Sequence, residues 1–111
     1  MPTTYKVLGQ VAPADTNNAN LYTVPASTQA VVSTISVTND TTTSATFRIY
    51  VRVAGAAAGA VNTLFLDTPL AGNTTALFTV GLTLGAGDII TVQNGAANAI
   101  TFQAFGSEVT P

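Results

Sequence analysis

The sequence predicts an all-β domain, a sandwich or a barrel of about eight short strands with no long helix. Three observations lead there. Between Ala45 and Ala54, Phe47, Ile49, Val51 and Val53 fall on one face and Arg48, Tyr50 and Arg52 on the other, the period of two that marks a half-buried strand. Turn formers interrupt the apolar segments roughly every ten residues. No segment has the length and spacing of a helix: the alanine-rich run GAAAGA at 55–60 is too short and too rich in glycine.

In chain order, Thr4 to Ala12 forms a first strand, with Val7 and Val11 on one face and Leu8 on the other. Gly9 marks a weak point or a bulge in it, and Pro13 ends it. Residues 14–20 (ADTNNAN) are a polar loop, and Leu21 to Val24 is a short strand stopped by Pro25. Gln29 to Asn39 is the next strand, with Val31, Ser33, Ile35 and Val37 sharing a face. Asn39, Asp40, Thr41, Thr42 and Thr43 bond their own backbone readily, so this strand and the one at 45–54 are expected to form a β-hairpin.

Gly55 to Ala60 is a loop leading into Val61 to Thr68, where Leu64 and Leu66 face one way and Phe65 the other. Asp67, Thr68 and Pro69 close that strand, and Ala71-Gly72-Asn73 turns into Thr75 to Val80. Gly81 to Leu84 continues or bends it. A tight turn at Leu84 to Asp88 precedes the strand Ile89 to Gln93. Asn94-Gly95 is a strong hairpin signal, and Ile100 to Phe105 is the last strand before the tail 106–111.

The 111 residues make one domain by length, spanning 1–111, enough to bury roughly 65% of the unfolded surface. With no cysteine, disulfides and thiolate metal sites are excluded. Charged residues are 7% of the chain, against about 25% in an ordinary domain. The surface must therefore consist of Thr, Ser, Asn, Gln, Ala and Gly, with little charge repulsion to hold copies apart. That suits a protein covered by neighbours or one displayed outside a cell; the competing reading is composition drift in an all-β protein. Lys6, Arg48 and Arg52 are the only basic side chains, too few to neutralise a run of phosphates, so no nucleic-acid partner is expected. No apolar run reaches the ~18 residues of a membrane span. The N-terminal segment has no charged start followed by an apolar core, and synthesis in a cytoplasm is expected.

Catalysis is not expected. With no histidine there is no Ser–His or Cys–His pair. Asp15, Asp40, Asp67, Asp88 and Glu108 are dispersed, so neither a metal nor another cofactor is expected. Gly85-Ala86-Gly87-Asp88 lacks the GxGxxG pattern and the Lys-Ser/Thr of a phosphate loop; it reads as a turn with Asp88 bonding the turn backbone. Arg48, Tyr50 and Arg52 are the candidate partner contacts, because Arg and Tyr often anchor interfaces. The competing reading is an outer face on which Tyr50 lies against the arginine stems. Phe65, Phe78 and Phe105 fall on the less apolar faces of their strands, which suits either the core of a two-sheet fold or an oligomer interface.

Leu21-Tyr22-Thr23-Val24-Pro25-Ala26, then AVVSTISVTN and SATFRIYV, then LDTPLAGNTTALFTVGLTLGAGDIITV and ITFQAFGSE, resemble small virion structural proteins of tailed bacteriophages of the cyanophage and marine type. The resemblance covers Leu21 to Glu108. It implies an antiparallel, jelly-roll-like β-sandwich that decorates or cements a capsid, is made in the host cytoplasm, and sits on the virion surface against the major capsid protein. Residues 1–20 lie outside it and are expected to form an N-terminal arm or contact segment. The turn from Leu84 to Val92, with Gly87-Asp88, is similar to turns in trimeric jelly-roll domains of the tumour-necrosis-factor and complement type, which implies a homotrimer. The alternative is a tail, fibre or baseplate component contacting the host surface. The loops 13–20, 39–44 and 55–60 hold no aromatic residue, which disfavours it.

Overall fold

The computed structural model describes residues 2–111. They form eight strands: β1 (Thr3–Val11), β2 (Ala19–Thr23), β3 (Gln29–Asn39), β4 (Ala45–Arg52), β5 (Thr63–Leu70), β6 (Thr74–Leu84), β7 (Ile89–Asn94) and β8 (Ile100–Val109). Two antiparallel four-stranded sheets, ordered β1-β8-β3-β6 and β2-β7-β4-β5, face each other. With that strand order the all-β sandwich is a jelly roll. Among the described residues the only helical pieces are two 3₁₀ turns, Val53–Gly55 and Ala60–Asn62, both in the β4–β5 loop.

The connectivity differs from the two expected hairpins. β3 pairs with β6 and β8, and β4 with β5 and β7, so Asn39–Thr43 carries the chain from one sheet to the other. Asn94-Gly95 does the same between β7 and β8. Among the described residues β4 and β5 are the only sequence neighbours that pair, across the loop holding GAAAGA. Turn chemistry bends a chain equally well within a sheet or between two. What decides is that β3 and β4 each carry an apolar face that must be covered, and facing each other across a core covers both.

That core is formed by Phe47, Phe102, Ile35, Ile49, Ile90 and Ile100, with Val24, Val32, Val37 and Val92 between them. Phe47 lies 5.9 Å from Phe65, 6.1 Å from Phe78 and 6.2 Å from Phe102 by ring centroids. Phe65 and Phe78 therefore belong to the inside of the sandwich, packed against the core from its β5–β6 margin. Phe105 is on the outer side, half-buried, opposite Val7 and Thr34.

Three facing expectations are corrected. In β1 the bulge after Val7 leaves Val7 outside, opposite Phe105, while Val11, opposite Phe102, packs against the core that also holds Leu8. Val53 is exposed, because β4 ends at Arg52 and the chain turns through Ala54 at φ 52°. In β3 the register slips between Val32 and Thr34. This bulge at Ser33 puts Val32 inside with Ile35 and Val37 and leaves Val31 outside. Gly9 does mark a bulge: β1 slips against β8 between Val7 and Gly9, and a Cβ at Gly9 would collide with the Leu21 carbonyl. Residues 3–11, expected in an arm, are paired with β8 from Thr3 to Val11. The final strand extends through the expected tail as far as Val109.

Candidate functional site

The outer face of β2-β7-β4-β5 carries the arginine–tyrosine stripe. β4 alternates there, so Arg48, Tyr50 and Arg52 stand in line, with Gln93, Thr91 and Ile89 of β7 opposite them. Arg48 Nε and Nη2 donate to the two carboxylate oxygens of Asp67 at 2.6 and 2.9 Å, and Nη1 reaches the Tyr50 hydroxyl at 3.4 Å. Arg52 Nε donates to the Ala56 carbonyl at 2.6 Å, Nη2 to the Gly55 carbonyl at 3.1 Å, and Nη1 to Thr91 Oγ1 at 3.2 Å. Thr91 Oγ1 in turn donates to Asn20 Oδ1 at 3.0 Å.

Every nitrogen of both guanidinium groups thus donates within the chain. The Arg48–Asp67 hydrogen bonds raise the guanidinium further and hold the Asp67 carboxyl below the usual range. Tyr50 is buried between the two arginines. The stripe braces β4 to β5, β7 and the 53–56 turn, while Arg48 and Asp67 remain accessible. Nothing in the sequence singled out Asp67, which reaches Arg48 because it sits at φ 45° beside a register slip between β4 and β5.

At the β1–β2 side, Tyr22 donates to Glu108 Oε2 at 2.6 Å and Lys6 to Oε1 at 3.1 Å, linking the two sheets. Burial, then the bond to Glu108, pushes the Tyr22 phenol up. The Tyr22 hydrogen bond, then Lys6, holds the Glu108 carboxyl down. Glu108 and Asp67 bind protons less readily folded than unfolded. Their contribution to stability is whole above the unfolded carboxylate range of about 4, and is lost as pH falls through their lower folded values. At high pH the Tyr22 contribution is lost as pH rises past the unfolded tyrosine value of about 10. Melting temperature is therefore expected to fall on both sides. Tyr22→Phe should cost about 1.5–3 kcal/mol near neutrality, the range for a hydrogen bond to a charged group, and should remove the alkaline limb. A variant that melts like wild type at every pH would show that this link holds nothing.

The Gly85–Asp88 turn is as read. Gly87 has φ 84°, and Asp88 Oδ2 accepts from the Gly85 amide at 2.9 Å. Asp88 Oδ1 also accepts from the Ala54 amide at 2.9 Å, which anchors the β4–β5 loop. Beside Arg48 and Asp67, an open groove of about 330 Å³ is lined by Thr16, Thr46, Gln93 and Asn94. Its charged groups are already paired, and it contains no nucleophile–base pair. The outward face of β1-β8-β3-β6 differs from its counterpart. Its alternating side chains are hydroxyls, amides and apolar groups, including Tyr5, Val7 and Leu77, with Gln10 bonded to Gln103 and Thr38 to Thr75. Lys6 and Glu108 lie on the inner side of their strands, so the four strands put no ionised side chain on this face. At its end Asp40, just past β3, accepts from Thr101 Oγ1 at 2.8 Å.

No family model matches the chain, and no curated protein matches it in sequence. Among solved structures it is similar to a chain in the structure of infectious bursal disease virus Gx strain, with TM-score 0.53 and 10% identity over 96% of this chain and 30% of that one. A chain of the Gt strain structure matches with TM-score 0.48 and 11% identity, over 96% and 31%. The chain thus spans about a third of the length of these solved chains. At such identity the Gx likeness establishes a common fold.

Proposed function

We propose that this chain is a structural protein of a virus particle, a decoration or cement protein that lies on the outside of the assembled capsid and braces neighbouring subunits. The observation that carries the reading is the outward face of β1-β8-β3-β6: four strands wide, with no ionised side chain on its strands and only Asp40 at its end, and set with Tyr5, Val7 and Leu77 among hydroxyls. A face of this kind makes many weak contacts without desolvating a charge. Copies held side by side on a shell add such contacts together. The fold shared with a chain of a virus structure, and the resemblance of residues 21–108 to phage virion proteins, support the same reading.

The test compares particles made with and without this chain. Added protein is expected to co-sediment with assembled, expanded shells and not with unassembled capsid protein. Particles lacking it are expected to form but to release their genome at lower temperature. Particles that lack it, keep full heat resistance and fail to adsorb to cells would place it on the tail instead.

A further inference from the structure

We propose that β6 is the strand through which two copies of this chain join, antiparallel and centred on Leu77, so that two four-stranded sheets become one continuous sheet. A free strand edge presents unpaired N–H and C=O groups and invites pairing unless something blunts it. The sandwich has four such edges: β1, β6, β2 and β5. Three are blunted. β5 contains Pro69, carries Asp67 at φ 45°, and slips register twice against β4. β2 is five residues long and slips between Asn20 and Tyr22. β1 follows Pro2, contains Lys6 and bulges between Val7 and Gly9.

β6 has none of these protections along its first half. It is 11 residues long, TTALFTVGLTL, with neither proline nor charge. Thr74 to Thr79 run in unbroken register against β3, and the strand's one irregularity comes after them, where Gly81 sits at φ 59°. Among the described residues β6 pairs with β3 alone. Its margin of the sandwich carries exposed apolar side chains as well. The exposed leucines, Leu64, Leu66 and Leu77, are all on β5 and β6. The Phe65–Phe78 pair, 4.5 Å between centroids, is only half-buried there.

The occupant is a second copy for two reasons. An edge with no charge meets itself without like-charge repulsion, and antiparallel pairing about a two-fold axis is self-complementary. Centring on Leu77 sets that residue, 67% exposed, against its own copy on the outer face and Thr75 against Thr79. Ala76 then meets Phe78 on the inner face. Centred on Leu77, the two strands overlap from Thr74 to Val80, about 24 Å of strand. With the sandwich 20 Å deep the side covers on the order of 500 Å² per copy, short of the roughly 800 Å² of a standard interface, so the main-chain ladder and the Leu77 contact carry the pair. A three-fold ring would instead need two different complementary surfaces, and the remaining edges are blunted.

The chain has no cysteine, so Leu77→Cys introduces a single thiol. Paired copies place the two thiols within about 5 Å between Cβ atoms, and mild oxidation is expected to yield a covalent dimer. Tyr5→Cys, on the far edge at a still more exposed position, is expected to stay uncrosslinked under the same conditions. Light scattering of the isolated wild-type protein should give twice the chain mass of 11.2 kDa. Leu77→Lys opposes like charges at the centre of the pair and should weaken association by about tenfold or more, with an unchanged far-ultraviolet circular dichroism spectrum. A wild-type monomer or trimer, a dimer undisturbed by Leu77→Lys, or crosslinking of Tyr5→Cys as complete as that of Leu77→Cys would each overturn the proposal. These measurements use no capsid, so they succeed or fail independently of shell binding.

Discussion

Phe47→Ala is expected to lower the unfolding free energy by about 3–5 kcal/mol, the range for truncating a buried phenylalanine. Phe47 is 1% exposed and touches aromatic rings from three other strands, Phe65 of β5, Phe78 of β6 and Phe102 of β8. Two of those strands belong to the opposite sheet, so the ring holds the two layers in contact. Neighbouring side chains anchored on different strands cannot all collapse into the vacated space, which puts the cost toward the upper part of the range. For a domain of ordinary stability this is a large fraction of the whole, and a fall in melting temperature of roughly 10–20 °C should follow. Phe105→Ala is the comparison. It lies on the outer face and is half-buried, and its loss should be well under half as costly. Equal melting of the two variants would mean that the inside and outside of the sandwich have been assigned wrongly.

The strands themselves were legible because alternation records burial: Phe47 and Ile49 were read as inward from their spacing, and they are. Which strands lie side by side was not legible. Asn39–Thr43 and Asn94-Gly95 have hairpin chemistry, yet each crosses between sheets, because pairing is decided by burial over distances that a turn does not encode. The Ser33 bulge is equally silent in sequence and reverses the facing of Val31 and Val32. At the candidate site, alternation found Arg48, Tyr50 and Arg52 on one face. Their roles depend on Asp67, Thr91 and the carbonyls of Gly55 and Ala56, which only the folded chain brings near. The importance of β6 was hidden for the same reason: an edge is a property of sheet order, and TTALFTVGLTL reads like any interior strand.

Asn39→Leu is expected to cost about 3–5 kcal/mol, as much as emptying the aromatic core, although the side chains are similar in size. Asn39 is fully buried where β3 ends and the chain crosses to β4. Its Nδ2 donates to the carbonyls of Thr43 at 2.9 Å and Leu70 at 3.0 Å. Its Oδ1 accepts from the Thr41 amide at 2.9 Å and from Thr41 Oγ1 at 2.7 Å. One side chain therefore fixes the crossing and ties it to the last residue of β5. Leucine fills the space but supplies neither donor nor acceptor. The Thr41 amide loses its partner, and of its side-chain donors the Leu70 carbonyl keeps the long 3.4 Å bond from Ser44. Asn94 at the β7–β8 crossing gives the scale. It is as deeply buried, but it makes a single side-chain bond, to the Pro13 carbonyl, and its Oδ1 has no partner. Asn94→Leu should accordingly cost about 1–2 kcal/mol. Denaturant unfolding of both variants reads the difference directly. If Asn39→Leu proves no worse than Asn94→Leu, the β3–β4 crossing is held by its backbone and flanking strands, and the four-bond network at Asn39 is incidental to it.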